Sequence, residues 1–525
     1  MSLLRLRKNM SHMLQWVMGA IAVIFVLGIF FSFNLGASTT GPSPSNEVFA
    51  RIGDEGEEIT LLEYQQTLQS YRQSAFGGAM NNSLAMQLFL AGLVWDELYA
   101  SRAMAMLAQD LGIRVSRGEA QRELDAQIDS VIAQRAANDT PEQKAQLRAQ
   151  LRGQLSVDDV QRGLLQQRLQ EHFTARSRPM EVHIAQIVIP FRRPDGIRTD
   201  EDARELATTA WRQASVPNAD FARLADQYSQ DPTKAPGGVF GWVSADPTNS
   251  AAQGDAAPRV ADDAIVGAAL ALNVGQVSDL VRTGQGYHVI KALDERPFAG
   301  TNDAAAAAGA AAGQTSPVQA YQQKVVDAIM AGVRAQLEWK YPFQAVSPLL
   351  KAIIADRDAR IADGTTEAGR AQIQAAIDQY LAALQSPSIE QAAALEFAVG
   401  QLYERLGDDA NAIRHFEAVT NRSASAEAWM AIGDLHQKGG RNTDALQAYQ
   451  KAADIAFLPN LRSQLVEKFK AVGRDDLAGQ QQQLYDEYIQ RQAEQNASLT
   501  HDPNDPNDHG HDHDAQGNPI PRAAP

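Results

Sequence analysis

FARLADQYSQDPTKAPGGVFGWV, residues 221–243, and LALNVGQVSDLVRTGQGYHVIKALDERP, residues 270–297, are the stretches on which the reading of this chain turns. The first passes from a helical segment through a loop with the Gly237–Gly238 pair into an apolar run that ends at Val243. The second closes on YHVIKAL, and upstream VHIAQIVI at 182–189 has the same β-rich character. Strand-like ends around helical and Gly/Pro-rich middles describe an α+β domain over residues 177–297.

On its C-terminal side this domain gives way to FAGTNDAAAAAGAAAGQTSP, whose small residues mark residues 298–317 as a linker. Helices follow at 318–365. Val325, Ile329, Val333 and Leu337 recur every four residues, an apolar stripe that needs burial and is expected to pack back on the N-terminal domain. Residues 366–492 contain an internal period: Gly407, Gly440 and Gly473 are spaced by 33 residues, and so are Ala412, Ala445 and Ala478. Gly400 and Gly433, and Phe416 and Tyr449, repeat at the same interval, while the third copy has Gln482 where an aromatic would fall. This all-α region resembles the tetratricopeptide repeat, with a third copy suited to capping; a generic helical-hairpin bundle is the alternative. The tail at 493–525 is polar enough to be disordered. His509, His511 and His513 alternate there with aspartates, compatible with a weak metal site or simply with an acidic solubilising tail.

On the N-terminal side, residues 47–176 read as a strand and turn (VFARIGDEGEEIT) followed by helices. Leu88, Leu93, Val94, Leu98, Met104 and Leu107 supply an apolar face, and Ser116 with Glu119 forms a capping box. Residues 35–46 are a Gly/Ser/Thr/Pro linker. Before them, WVMGAIAVIFVLGIFFSF at 16–33 is uncharged and near the roughly 20 residues of a membrane-crossing helix. A single transmembrane helix over 14–34 is expected, rather than a cleaved signal peptide, whose apolar region is shorter. Arg5, Arg7 and Lys8 precede it and no charge follows until Glu47, so residues 1–13 are expected in the cytoplasm and the bulk of the chain outside the cytoplasmic membrane.

At 525 residues the chain exceeds one core. A formal net charge of −16 argues against nucleic acid as partner, and the absence of cysteine removes disulfides, thiolate metal sites and thiol nucleophiles. No phosphate-cradling loop, H-E-x-x-H or nucleophile elbow is present.

The quoted stretches are similar, in order and spacing, to parvulin, the rotamase of the SurA, PrsA and PpiD foldases, and residues 47–176 look like that family's chaperone domain. The resemblance implies a peptidyl-prolyl cis-trans isomerase that needs no cofactor and takes unfolded or nascent secreted polypeptides as clients, with the repeats recruiting a protein partner. It places Asp231 at the family's acidic position and His288 at its second histidine. Phe240 falls on the apolar pocket, and Thr283 and Gln285 on the small polar positions before the last strand. Departures are equally specific. Gln186 stands where the family has its first histidine, and His183 lies three residues earlier, on the opposite face of a strand. Ala261, Ile265 and Leu270 replace the larger pocket residues, which implies a wider and less aromatic slot. An envelope isomerase and chaperone is the first reading; a non-enzymatic holdase or assembly scaffold with a peptide-binding parvulin domain is the second.

Overall fold

The computed structural model describes residues 47–54, 56–73, 83–135, 140–154, 156–193, 196–230, 235–299, 317–385 and 391–500. The expected membrane span at 14–34, Asp231, most of the Ala/Gly linker and the tail histidines His509, His511 and His513 lie outside them. Among the described residues no helix is long and apolar enough to cross a membrane. The chain divides into two compact units, one comprising Met1–Asn82 with Phe89–Ser388, the other Ser83–Leu88 with Ile389–Pro525.

Among the described residues the first unit opens with an antiparallel hairpin, β1 (Val48–Ile52) and β2 (Glu57–Thr60). Helices α1 (Leu61–Gln73), α2 (Leu84–Asp110, in this unit from Phe89 onward), α3 (Arg117–Arg135), α4 (Pro141–Gln154) and α5 (Val157–Arg176) follow. Ser116 accepts the Glu119 N–H at 3.2 Å and so starts α3, while the Glu119 carboxylate turns to Arg168 on α5. One arm of the capping box is thus used for capping, and the other ties two helices together. The hairpin is flanked on its other side by β9 (Phe343–Ala345), which pairs antiparallel with β1 from almost 300 residues downstream. Phe49, Tyr64, Trp95 and Phe343 make the aromatic centre of this layer: Phe49 stacks on Tyr64 at 4.2 Å, and Trp95 meets Phe343 edge-on at 4.9 Å.

The α+β part is a four-stranded sheet in the order β6-β3-β8-β7, with β3 (Met180–Pro190), β6 (Val239–Val243), β7 (Val281–Arg282) and β8 (Gly286–Pro297). A two-residue hairpin, β4 (Arg192–Arg193) with β5 (Gly196–Ile197), lies outside it. Period-two alternation sends Ala185, Ile187, Ile189 and Val289 to one face, where they meet α6 (Asp200–Ala214) and α7 (Phe221–Tyr228). Thr199 caps α6 by accepting the Asp202 N–H, and Ala203, Ala207, Ala210 and Ala214 form its buried stripe. Ile184, Ile290 and Ala292 face the other way, toward α8 (Asp263–Leu270).

Helix α8 is buried on two sides because α9 (Pro317–Lys340) lies across its back. Glycine makes the crossing possible. A Cβ at Gly267 would fall 1.6 Å from the Ala328 carbonyl oxygen, and one at Gly332 would fall 2.4 Å from the Ala268 nitrogen. The apolar stripe of α9 therefore has two partners. Tyr321, Val325 and Ile329 meet Phe173 of α5, but also Ala245, Leu270 and Phe298 of the α+β part. The Tyr321 hydroxyl hydrogen-bonds the Met180 carbonyl at 2.9 Å and lies 3.0 Å from Ser244 Oγ, while its ring stacks on Phe298 at 3.6 Å. After α9 come β9, α10 (Pro348–Ile361) and α11 (Glu367–Leu384), the last two packed together. Helix α11, which the sequence places at the head of the repeats, thus belongs to the first unit.

Among the described residues the second unit contains three helical hairpins: α12 (Ala392–Leu406) with α13 (Asp409–Arg422), α14 (Ala426–Lys438) with α15 (Asn442–Ile455), and α16 (Pro459–Ala471) with α17 (Asp475–Thr500). Gly407, Gly440 and Gly473 stand at the turns with φ of 77°, 74° and 71°, a left-handed conformation that glycine adopts without a Cβ penalty. Ala412, Ala445 and Ala478 are buried in the second helices. Phe416 and Tyr449 are fully buried, whereas Gln482 at the corresponding place in α17 is exposed. Ser83 and Leu84 belong to this unit as well, hydrogen-bonded through Oγ and N–H to the two carboxylate oxygens of Glu427 at 2.6 and 2.8 Å.

Candidate active site

The site lies on the α8 face of the sheet, where β3 and β8 run side by side. Val188 pairs with His288 and Gln186 with Ile290, so Gln186 and His288 are diagonal neighbours on one face, within reach of each other. The geometry agrees: His288 Nδ1 is 3.1 Å from Gln186 Oε1, and His288 Nε2 is 3.0 Å from Thr283 Oγ1. All three side chains are buried. An amide oxygen only accepts, so Nδ1 carries a proton and donates to Gln186.

Thr283 completes the arrangement. Its Oγ1 accepts the Gln285 N–H at 3.2 Å and lies 3.3 Å from the Gly286 carbonyl oxygen. With neutral His288 the threonine hydroxyl donates to Nε2. The two contacts, one at each ring nitrogen, hold the ring in a fixed orientation beside the sheet.

Gly238 brings the loop before β6 against the β3 backbone and α7, on the side of the sheet away from α8. Gly238 has φ 71°, and a Cβ there would fall 2.5 Å from the Gln186 carbonyl oxygen and 2.6 Å from Ala225 Cβ. Any side chain would push β3 and the loop apart. Ser229 adds a second tie, accepting the Val188 N–H at 3.1 Å from a buried position.

Of the apolar positions, Ile265 is buried in the cluster beneath α8, while Phe240, Ala261 and Leu270 are partly buried against it. Phe240 is the one aromatic among these four. Leu270 also touches the α9 cluster. Gln285 has an exposed side chain and enters the site through its backbone N–H. Asp231 belongs to a segment outside the described residues. His183 is directed away from Gln186 and His288, stacking at 5.2 Å on Trp242 of β6.

Several residues that hold the site carry no motif. The Tyr287 hydroxyl donates to Asp200 Oδ2 at 3.0 Å and Arg282 Nε donates to Asp200 Oδ1 at 2.8 Å. Tyr287 and Arg282 are the neighbours of His288 and Thr283 in sequence, so α6 grips both strands immediately behind the site. Burial lifts the Tyr287 hydroxyl well above the usual phenol range, and Asp200 beside it adds to the shift. It is therefore a permanent donor. Burial works against the charge on Arg282, but Asp200 and Glu338 outweigh it and hold the guanidinium firmly protonated.

Comparison with known proteins agrees with this geometry. Residues 167–296 match the PPIC-type PPIase domain, residues 3–162 the SurA-like N-terminal domain, and residues 426–457 a tetratricopeptide repeat. The chain therefore combines a PPIC-type PPIase domain with a SurA-like N-terminal domain and a tetratricopeptide repeat. Among its relatives are the foldase protein PrsA of Geobacillus sp. (strain WCH70), 46% identical over 83 residues and covering 15% of this chain and 25% of that one. The chaperone SurA of Shigella dysenteriae is 34% identical over 117 residues, 22% of this chain and 24% of its own. The chain thus spans about a quarter of the length of these curated relatives. A crystal structure of PrsA from Bacillus anthracis aligns over 46% of this chain and 94% of its own, at 18% identity and a TM-score of 0.18. That of MamA aligns over 27% and 81%, at 16% identity and a TM-score of 0.20.

Proposed function

We propose that this chain is a membrane-anchored, extracytoplasmic peptidyl-prolyl cis-trans isomerase and chaperone that assists the folding of secreted or envelope proteins. The reaction is rotation about an X-Pro bond, whose barrier of about 20 kcal/mol arises from amide resonance. No bond is made or broken. Catalysis needs an apolar seat for the proline ring and fixed hydrogen-bonding groups beside a carbonyl whose conjugation is lost at the transition state. Phe240 and Ile265 supply the seat, and the oriented Gln186–His288–Thr283 network, the observation that carries this reading, supplies the polar wall. In this reading Asp231 is the acidic group of the site, and His509, His511 and His513 belong to an acidic solubilising tail. The SurA-like region is the client-holding element, the repeats are the docking element for a protein partner, and the apolar segment at 14–34 is the anchor.

The test is a protease-coupled assay of the full chain on Xaa-Pro tetrapeptides. His288→Ala is expected to lower kcat/KM by about tenfold, equal to about 1.4 kcal/mol of transition-state stabilisation. A wild-type rate equal to buffer would sink the enzymatic half of the proposal. A holdase reading has one observation in its favour, the replacement of large pocket side chains by Ala261 and Ile265. Suppression of client aggregation by both wild type and His288→Ala, with no isomerisation by either, would select it. Anchoring is checked separately: alkaline extraction should leave the chain in the membrane pellet and release a version lacking residues 1–34.

A further inference from the structure

We infer that Arg259 selects prolyl segments carrying an acidic side chain within two residues of the proline. The inference rests on the reading of the PPIC-type domain as a binder of prolyl peptides and adds to it the chemistry of the preferred client.

Arg259 lies in the stretch between β6 and α8, and its placement is built rather than incidental. Its backbone N–H donates to the Trp242 carbonyl at 2.8 Å, fastening this loop to β6. Its side chain lies over Gly241, whose φ of 118° and missing Cβ leave the room; a Cβ there would fall 3.2 Å from Arg259 Nε. The guanidinium carbon then stands 5.7 Å from the centre of the Phe240 ring. A cation is thus held at the rim of the apolar seat, over the face of its single aromatic. Val260, 81% exposed, and the partly buried Ala261 continue the rim.

The charge of Arg259 is uncommitted. Arg296, which stacks on Trp242 of the same strand at 4.0 Å, is paired with the buried carboxylate of Glu181. Arg282 is paired with Asp200, and Arg178 with Glu295. Among the described residues no carboxylate lies within ion-pair distance of the Arg259 guanidinium, and the residue is exposed. In a chain of net charge −16, an unpaired arginine at the rim of the seat is a local reversal of sign. An extended peptide advances about 3.3 Å per residue, so a proline seated on Phe240 places the side chains one or two residues away near this guanidinium. A carboxylate there gains a charge-assisted, planar partner, whereas a lysine is repelled.

The experiment measures binding of the full chain to three fluorescein-labelled peptides, Ala-Glu-Pro-Glu-Phe and its Gln and Lys counterparts, by anisotropy. The Glu peptide is expected to bind about threefold more tightly than the Gln peptide at low salt, the scale of a partly exposed ion pair, with the Lys peptide weakest. The preference should shrink at about 0.5 M salt. Arg259→Gln should bring the Glu/Gln ratio to about one, and Arg259→Lys, which keeps the charge, should retain a preference. An unchanged Glu/Gln ratio in Arg259→Gln overturns the assignment to Arg259 while leaving the prolyl-peptide reading intact. If none of the peptides binds wild type, the prolyl-peptide reading falls and this inference with it.

Discussion

Both units of the molecule use glycine to bring helices closer than a side chain would allow, but over different distances along the chain. In the repeats the partner is local: a Cβ at Gly400 would meet the Phe416 ring at 2.5 Å, and one at Gly433 the Tyr449 ring at 2.3 Å, each pair 16 residues apart. In the first unit Gly267 and Gly332, 65 residues apart, let two helix backbones touch. The neighbour differs too. An aromatic ring at the end of a side chain has some freedom to shift, whereas a helix backbone moves only as a whole. Local, repeated closeness makes a stack in which each hairpin supports the next. The single non-local crossing makes α8, which carries Ile265, depend on a helix from beyond the domain boundary.

The largest effect should come from breaking that crossing. Gly267→Val puts atoms where the Ala328 carbonyl stands, and is expected to cost about 3 kcal/mol. Hydrogen exchange resolved along the sequence should show the loss in α8, α9 and the sheet beneath them, with the repeats unaffected. Protection of α8 equal to wild type would show that α9 is dispensable there. Gly433→Val should cost less, about 1–2 kcal/mol, and the loss of protection should stay within residues 389–500. Spread of the effect into the PPIase domain would break the contrast between the units.

A smaller effect sharpens the role of α9. Burial pushes the Asp246 carboxyl up, but hydrogen bonds from Lys324 of α9, Asn249 and Thr248 outweigh it and hold the group below the usual carboxylate range. A depressed folded value means that the contribution is present above the unfolded value of about 4 and lost as pH falls through the folded one. Lys324→Met is therefore expected to destabilise by at most about 1 kcal/mol at pH 7. The gap between variant and wild type in urea midpoint should close as the pH is lowered below about 4. A gap that widens in acid would assign the role of Lys324 to something other than this pair.

The candidate site was legible through the resemblance of its motifs, and strand alternation added the facing of His183. The parvulin resemblance set Gln186 and His288 together, and alternation directed His183, three residues away, to the other face; in the structure Gln186 and His288 meet and His183 is directed elsewhere. Thr283 was legible because the resemblance places a small polar residue just before the last strand. Arg259 was not, since the polar stretch at 246–263 has no periodicity to fix a side chain. Its position comes from one backbone hydrogen bond and one glycine on the neighbouring strand. The Asp200 grip on Tyr287 and Arg282 was hidden for the same reason, because it joins residues more than 80 positions apart. Helix α8 did carry a signal. AIVGAAL at 264–270 has no polar position, and a helix apolar all round is covered on more than one side.

The sequence by itself determined whatever depends on short-range order: the hairpin at 48–60, the β-rich ends of the PPIase domain, and the 33-residue period with its left-handed glycines. Each follows from a periodicity or a backbone conformation that a few neighbouring residues impose. Only the tertiary structure decided which surfaces meet. It brought β9 to β1, laid α9 across α8 instead of against the N-terminal region alone, and moved α11 out of the repeats. An apolar stripe states that it must be buried, but the hydrophobic effect is non-directional, and the partner is chosen by whichever surface fits its shape. Here that surface was a row of small residues, Ala264, Gly267 and Ala268, met by Ala328 and Gly332.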